Sequence, residues 1–162
     1  INMDKIYIKD TRYADSRTGA NITRDTLYHD TIEHIKDVQM GMCFFADMMI
    51  SAGEKHDWTK MDNFDEDFCA LVLSEHTDEE FQASDWYERH IYTERHHVNH
   101  DAKTDVNLID ILEHISDVVM AGNGRSGYIS SKYCDINPLL LYRAYWNTIR
   151  MLDDVVEVKK NE

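Results

Sequence analysis

Proline occurs once in the 162 residues, glycine six times and cysteine three times. So few chain breakers exclude collagen-like, Pro-rich and Gly/Ser-rich linker architectures, and no repeat or low-complexity tract marks an internal boundary. The cysteines, Cys43, Cys69 and Cys134, are odd in number and widely spaced, which excludes a disulfide framework. They read as reduced core thiols of a cytoplasmic protein. Basic residues are scarce: 17 Lys and Arg stand against 31 Asp and Glu, a formal charge of −14. That balance disfavours an extended nucleic-acid interface or binding to an anionic membrane. A small anionic substrate then needs a local cation. No apolar run approaches the ~18 residues of a membrane helix, and no signal peptide opens the sequence, so a cytoplasmic location is expected.

What is present is an apolar content of 43%, enough for a packed core and too much for a disordered chain. Residues 1–24 are irregular; Ile6 and Ile8 alternate with charged neighbours like a short strand, and an extended N-terminal arm is expected there. From Asp25 the period is helical. Leu27, Ile32, Ile35, Val38, Met42, Phe45 and Met49 form an inward stripe, with Asp25 as N-cap and Ser51-Ala52-Gly53 as the stop. Further helices are expected over about 62–75 (Phe64, Phe68, Leu71 and Val72 inward), 78–97 (Phe81, Trp86 and Tyr92 buried) and 104–121, the last stopped by Gly122-Asn123-Gly124. A fifth has Asn137 as N-cap, Pro138 at the first helical position, and runs to about Val156. The expectation is an all-α, single-domain bundle of about five main helices over 25–157, with homo-oligomerisation left open.

Nine histidines are many for this length, and several fall where helices should be apolar. His34 adjoins the inward Ile35, and His56-Asp57 follows the end of the first helix. His90, His96 and His97 lie in the third, and Asp110, His114 and Asp117 in the fourth. His90 and His97 are seven apart, two helical turns, as are Asp110 and Asp117. Adjacent helical residues point about 100° apart, so only one of His96 and His97 is expected to face such a site. A single inward histidine is more often a hydrogen-bonded core residue than a ligand, and His76 and His100 read as solvated. Jointly, imidazoles and carboxylates from several helices match the needs of a divalent transition metal, Mn, Fe, Co, Ni or Zn, as one or two ions.

His34, then His56-Asp57-Trp58-Thr59-Lys60, then the histidine cluster, then Asp117 in Ile115-Ser116-Asp117 resembles the HD-domain metal-dependent phosphohydrolase superfamily. The sequence is most similar within it to a family of small, functionally uncharacterised HD-like proteins of bacteria and phages, through Trp86, His90 and His96-His97. It departs from that pattern in Arg89 for a histidine, Glu94 for an asparagine, and a missing aromatic pair after His97. The resemblance covers about residues 26–125. It implies His34, His56, Asp57 and Asp117 as ligands of a principal metal, Asp57 as a bridge, and His90 and His97 as ligands of a second. Asp110 and His114 remain open between a supporting hydrogen bond and an outward position.

Such a site lowers the pKa of a bound water and neutralises phosphate charge. The expected function is hydrolysis of a nucleotide or another small phosphate ester through a metal-activated water. Asp57, Lys60 and Arg125 are the catalytic candidates; Lys60 and Arg125 would contact phosphate. Arg89 and Arg95 are weaker candidates for that contact, and Glu33 or Glu54 for a general acid. Trp58, Trp86, Tyr87 and Tyr92 are available to stack on a base, although aromatics at helical spacing are more often core. Two other readings compete: an HD-fold di-iron oxygenase, and a non-catalytic HD-like binding or phage accessory protein.

Overall fold

A computed structural model describes residues 5–11, 22–98, 102–131 and 135–159. The chain is mostly helical, the all-α class expected from its periodicity. In order the elements are β1 (Ile6–Lys9), α1 (Arg24–Lys55), α2 (Trp58–Met61), a π-helical turn (Asp65–Cys69) leading into α3 (Ala70–Leu73), α4 (Asp78–Gln82), α5 (Asp85–Thr93), α6 (Leu108–Ser126), α7 (Pro138–Asp153) and β2 (Val156–Lys159). The chain divides into two compact units, residues 1–47 with 149–162, and residues 48–148.

In the first unit the expected arm carries a real strand. β1 pairs in parallel with β2, Ile6 opposite Val156 and Lys9 opposite Lys159. Lys5 Nζ donates to Asp154 O at 3.0 Å, and Lys9 lies 3.2 Å from the buried carboxylate of Asp30. Val156 thus belongs to a strand and not to the last helix. α1 is capped by Thr23 rather than Asp25: Thr23 Oγ1 accepts from Thr26 N–H at 3.2 Å, and Thr26 Oγ1 accepts from Thr23 N–H at 3.0 Å. This reciprocal pair satisfies two end groups at once. Thr23→Ala is expected to cost ~1 kcal/mol, measurable as a lower urea midpoint; an unchanged midpoint would show that the cap contributes nothing. The apolar stripe expected to face inward is largely exposed: Leu27, Ile35, Val38 and Met42 all are, Met42 at 62%. Within the first unit, residues 24–47 of this helix have little to cover them beyond two four-residue strands and the last turn of α7. Cys43 is free and exposed and Cys69 free and half-buried, so neither is a core thiol; Cys134 lies outside the described residues.

In the second unit the core is Val98, Val106, Ile111, Leu140 and Ala144, with Ala102, Leu108 and Ile136 packed against it. Phe64, Val72 and Tyr92 are exposed, contrary to the inward positions expected for them. Gly53 does not stop α1, which continues to Lys55. The helix expected over 78–97 is instead two, because Ser84 leaves the helix to accept from Tyr87 N–H and start α5. α5 then ends at Glu94, whose backbone is extended. α6 begins at Leu108, after Asn107 and Asp110 form a capping box, and passes through Gly122 and Gly124 to stop at Gly127. Gly127 supplies the left-handed φ of 74° that ends a helix cheaply. α7 starts as expected: Asn137 Oδ1 accepts from Leu139 N–H at 2.9 Å, with Pro138 first in the helix. Thr148 Oγ1 takes Leu108 N–H at 2.8 Å, and Asn147 Nδ2 donates to Val106 O at 2.8 Å, tying α7 to the entrance of α6. No described helix is long and apolar enough to cross a membrane.

Candidate metal centre

Four of the donors, His56, Asp57, His96 and His97, are placed by local breaks in helix. α1 ends at Lys55, so His56 and Asp57 occupy the two-residue link to α2, with Asp57 in the left-handed region (φ 58°, ψ 24°). His90 lies in the last turn of α5, and His96 and His97 follow in the turn after it. Glu113 and Asp117 are four apart on α6 and share a face.

These side chains converge. Asp57, His90, His96 and His97 offer donor atoms all within 4.8 Å of one another, and so do His56, His96 and Glu113. Asp57 Oδ1 stands 3.5 Å from His90 Nε2 and 3.6 Å from His96 Nε2; Asp57 Oδ2 stands 3.4 Å from His56 Nε2. His56 Nε2 is 3.7 Å from Asp117 Oδ1. His90 and His97 meet Nε2 to Nε2 at 2.9 Å. Two lone pairs at that distance repel unless a proton or a cation lies between them. Donors bound ~2.1 Å from one ion stand roughly 3.0–3.4 Å apart at octahedral or tetrahedral angles, close to these separations. Asp57 Oδ1 is buried and makes no hydrogen bond, a costly state for a carboxylate oxygen unless a cation meets it. The residues present therefore fit a metal ion.

The electrostatics agree. Burial pushes His90 down to about 4 and His97, also beside His96 and His90, to about 3, so both are neutral and able to ligate at pH 7. Burial acts to raise the Asp57 carboxyl, but Lys60, His56 and His90 hold it below its ordinary value. Burial opposes the charged form of His96, yet Glu113, Asp57 and Asp117 raise it overall. Burial likewise opposes ionised Glu113, which His96 and His56 nevertheless hold below the usual carboxylate range.

Of the expected ligands, His56, Asp57, His90, His97 and Asp117 lie together in the second unit. His34 belongs to the first unit, is exposed on α1, and is in neither donor group. His96 and His97 both reach the cluster, because they lie beyond the end of α5 and the 100° helical offset does not apply. Glu113 was not read from the sequence, though its position one turn before Asp117 is a legible signal. His56 Nδ1 lies 3.0 Å from its Oε1 in a hydrogen bond, and His96 Nδ1 lies 3.2 Å from the same oxygen without good alignment.

Asp110 is neither outward nor directed at the cluster. Buried at 4% exposure, it accepts from Arg95 Nε at 2.7 Å, Arg95 Nη2 at 2.8 Å and Asn107 N–H at 2.9 Å. Arg95 also donates to Asp105, so the residue just before His96 is clamped to the start of α6. This use, and the pairing of Arg89 with Asp67 at 3.1 Å, leaves neither arginine an uncommitted cation. Lys36 beside Glu33 lowers that carboxyl, the wrong direction for a general acid at neutral pH. Glu54 is exposed in the last turn of α1, and His76 is exposed as expected; His100 lies outside the described residues.

A cavity of about 800 Å³ opens beside the cluster. His90, His96, His97, Asp117 and Lys60 are in its lining with Phe68, Phe81 and Tyr87, as are His114, Arg125 and Tyr128. Lys60 Nζ contacts Asp57 Oδ2. Trp86 is not free to hold a base, being buried with Phe68 stacked at 4.7 Å and His90 at 5.0 Å. Trp58 and Tyr92 are exposed and do not line this cavity; Tyr87 does. Gly122, also in the lining, packs closely on Tyr128: a Cβ there would stand 3.0 Å from Tyr128 O. No family model, curated protein or solved structure matches the chain.

Proposed function

We propose that the protein is a metal-dependent phosphohydrolase acting on a small phosphate ester, a nucleotide first among them. The observation that carries this reading is the buried, unbonded Asp57 Oδ1 facing the imidazoles of His90 and His96 in the wall of a cavity that also holds Lys60 and Arg125. His56, Asp57, His90, His96, His97 and Asp117 would hold one or two divalent transition ions. When bound, such ions lower the pKa of water toward neutrality and neutralise phosphate charge. The chain's own residues do the rest. Lys60 pairs with Asp57 at the cavity wall and can pass a hydrogen bond to a phosphate oxygen arriving there. Arg125, exposed in the last turn of α6, offers a second cation to an anionic substrate, offsetting the −14 formal charge of the whole. The aromatic side chains of the same cavity exclude water from an apolar substituent.

The test is elemental analysis of the purified protein, followed by phosphate release from nucleoside mono-, di- and triphosphates with Mn, Co, Ni or Fe added. Metal-stimulated release supports the proposal; no bound metal and no release from any of them would sink it. Lys60→Ala is expected to keep the metal and lower kcat/KM ~100-fold; an unchanged value would remove Lys60 from the site. Four imidazoles against two or three carboxylates also suit iron, and EPR spectra of anaerobically purified protein separate a redox-active iron pair, the oxygenase reading, from a hydrolytic centre.

A further inference from the structure

Beneath the cluster a second buried carboxylate stands outside both donor groups. Glu94 is 5% exposed and Thr59 2%. Glu94 Oε1 accepts from Thr59 N–H at 2.8 Å and from Thr59 Oγ1 at 2.6 Å, and the same Oγ1 lies 2.6 Å from His90 Nδ1. A hydroxyl has one hydrogen to give. A carboxylate oxygen has no hydrogen to give, so at 2.6 Å the hydroxyl hydrogen goes to Glu94 Oε1, as the backbone N–H does. Thr59 Oγ1 then meets His90 Nδ1 as an acceptor. The ring's proton is therefore on Nδ1, and the lone pair on Nε2, the atom facing Asp57 Oδ1 and His97.

We propose that Glu94 and Thr59 are positioning residues that fix His90 in its Nδ1–H tautomer, presenting Nε2 to a cation. The inference rests on the metal-site reading above. Trp86, stacked on His90 with ring planes 11° apart, holds the plane of the ring while the relay sets its rotation. A consequence follows for His97: with a lone pair on His90 Nε2, the 2.9 Å contact requires His97 to donate from its own Nε2 until a cation replaces that hydrogen. Imidazole ligands commonly have their second nitrogen held in this way, and changing the holder typically weakens metal binding 10–100-fold.

Ring-nitrogen NMR of metal-free protein labelled with ¹⁵N-histidine reads the tautomer directly. Wild-type His90 is expected as Nδ1–H. Thr59→Val removes the acceptor, and Glu94→Ala frees the hydroxyl to donate to Nδ1; both are expected to move the proton to Nε2 and to weaken Co²⁺ binding about 10–100-fold. Thr59→Ser is expected to retain both properties. His90 found as Nε2–H in the wild type, or an unchanged Nδ1–H tautomer in both the Val and Ala variants, would overturn the inference. Should those variants not fold, the wild-type spectrum alone decides. Wild-type protein that takes up no Co²⁺ overturns the metal reading beneath the inference. Failure of the relay itself shows differently, as Co²⁺ uptake with the His90 proton on Nε2.

Discussion

Asp57→Asn is expected to yield a folded protein that binds no metal and hydrolyses nothing. Asparagine keeps the size of the side chain and tolerates the left-handed backbone that position 57 adopts. Alanine would add roughly 1 kcal/mol of strain there and confuse the result. Asparagine does remove the charge that lies between His56 on one oxygen and His90 and His96 on the other. It also leaves the Lys60 ammonium beside the imidazoles without its partner, a cation where a cation should bind. The loss of affinity should exceed the roughly 10–100-fold that follows when a supporting residue is changed. Elemental analysis after dialysis against a stated metal concentration measures it, with circular dichroism to confirm the helices. A variant that kept full metal content would remove Asp57 from the centre, and with it the proposed chemistry.

Asp110→Ala is expected to cost about 3 kcal/mol of stability, by the general cost of breaking a buried ion pair. The side chain is almost wholly buried and takes three hydrogen bonds, two from Arg95 and one from the backbone at the start of α6. Its loss opens the capping box with Asn107 and leaves the Arg95 guanidinium with Asp105 alone. Because Arg95 directly precedes His96, the turn that brings His96 and His97 to the cluster should also loosen. Urea unfolding measures the first effect and Co²⁺ titration the second. Unchanged stability with unchanged Co²⁺ affinity would show that the Arg95–Asp110 clamp is incidental.

How far each feature was legible depends on its range along the chain. Asn137-Pro138 announces the start of α7 because a cap and its first turn are made by residues within three positions. The Ile6/Ile8 alternation is equally local and shows a strand, but its partner, 150 residues later, was read as the end of a helix. Gly53 and Gly122-Asn123-Gly124 misled, since glycine in a helix costs only ~1 kcal/mol and tertiary contacts outweigh it. The true stop, Gly127, is distinguished by a backbone angle that composition does not reveal.

Residue type and order alone established a mostly helical chain and an unusual store of imidazoles and carboxylates, with His56-Asp57, His90 and Asp117 among the candidate donors. Folding in three dimensions decided which of them meet: both His96 and His97 through a turn outside any helix, Glu113 one turn before Asp117, and His34 in neither group. The reason is that ligation and tautomer depend on approaches of 3–4 Å between side chains up to 61 positions apart. Helical period governs only which neighbours share a face, and carries no information about what that face will meet.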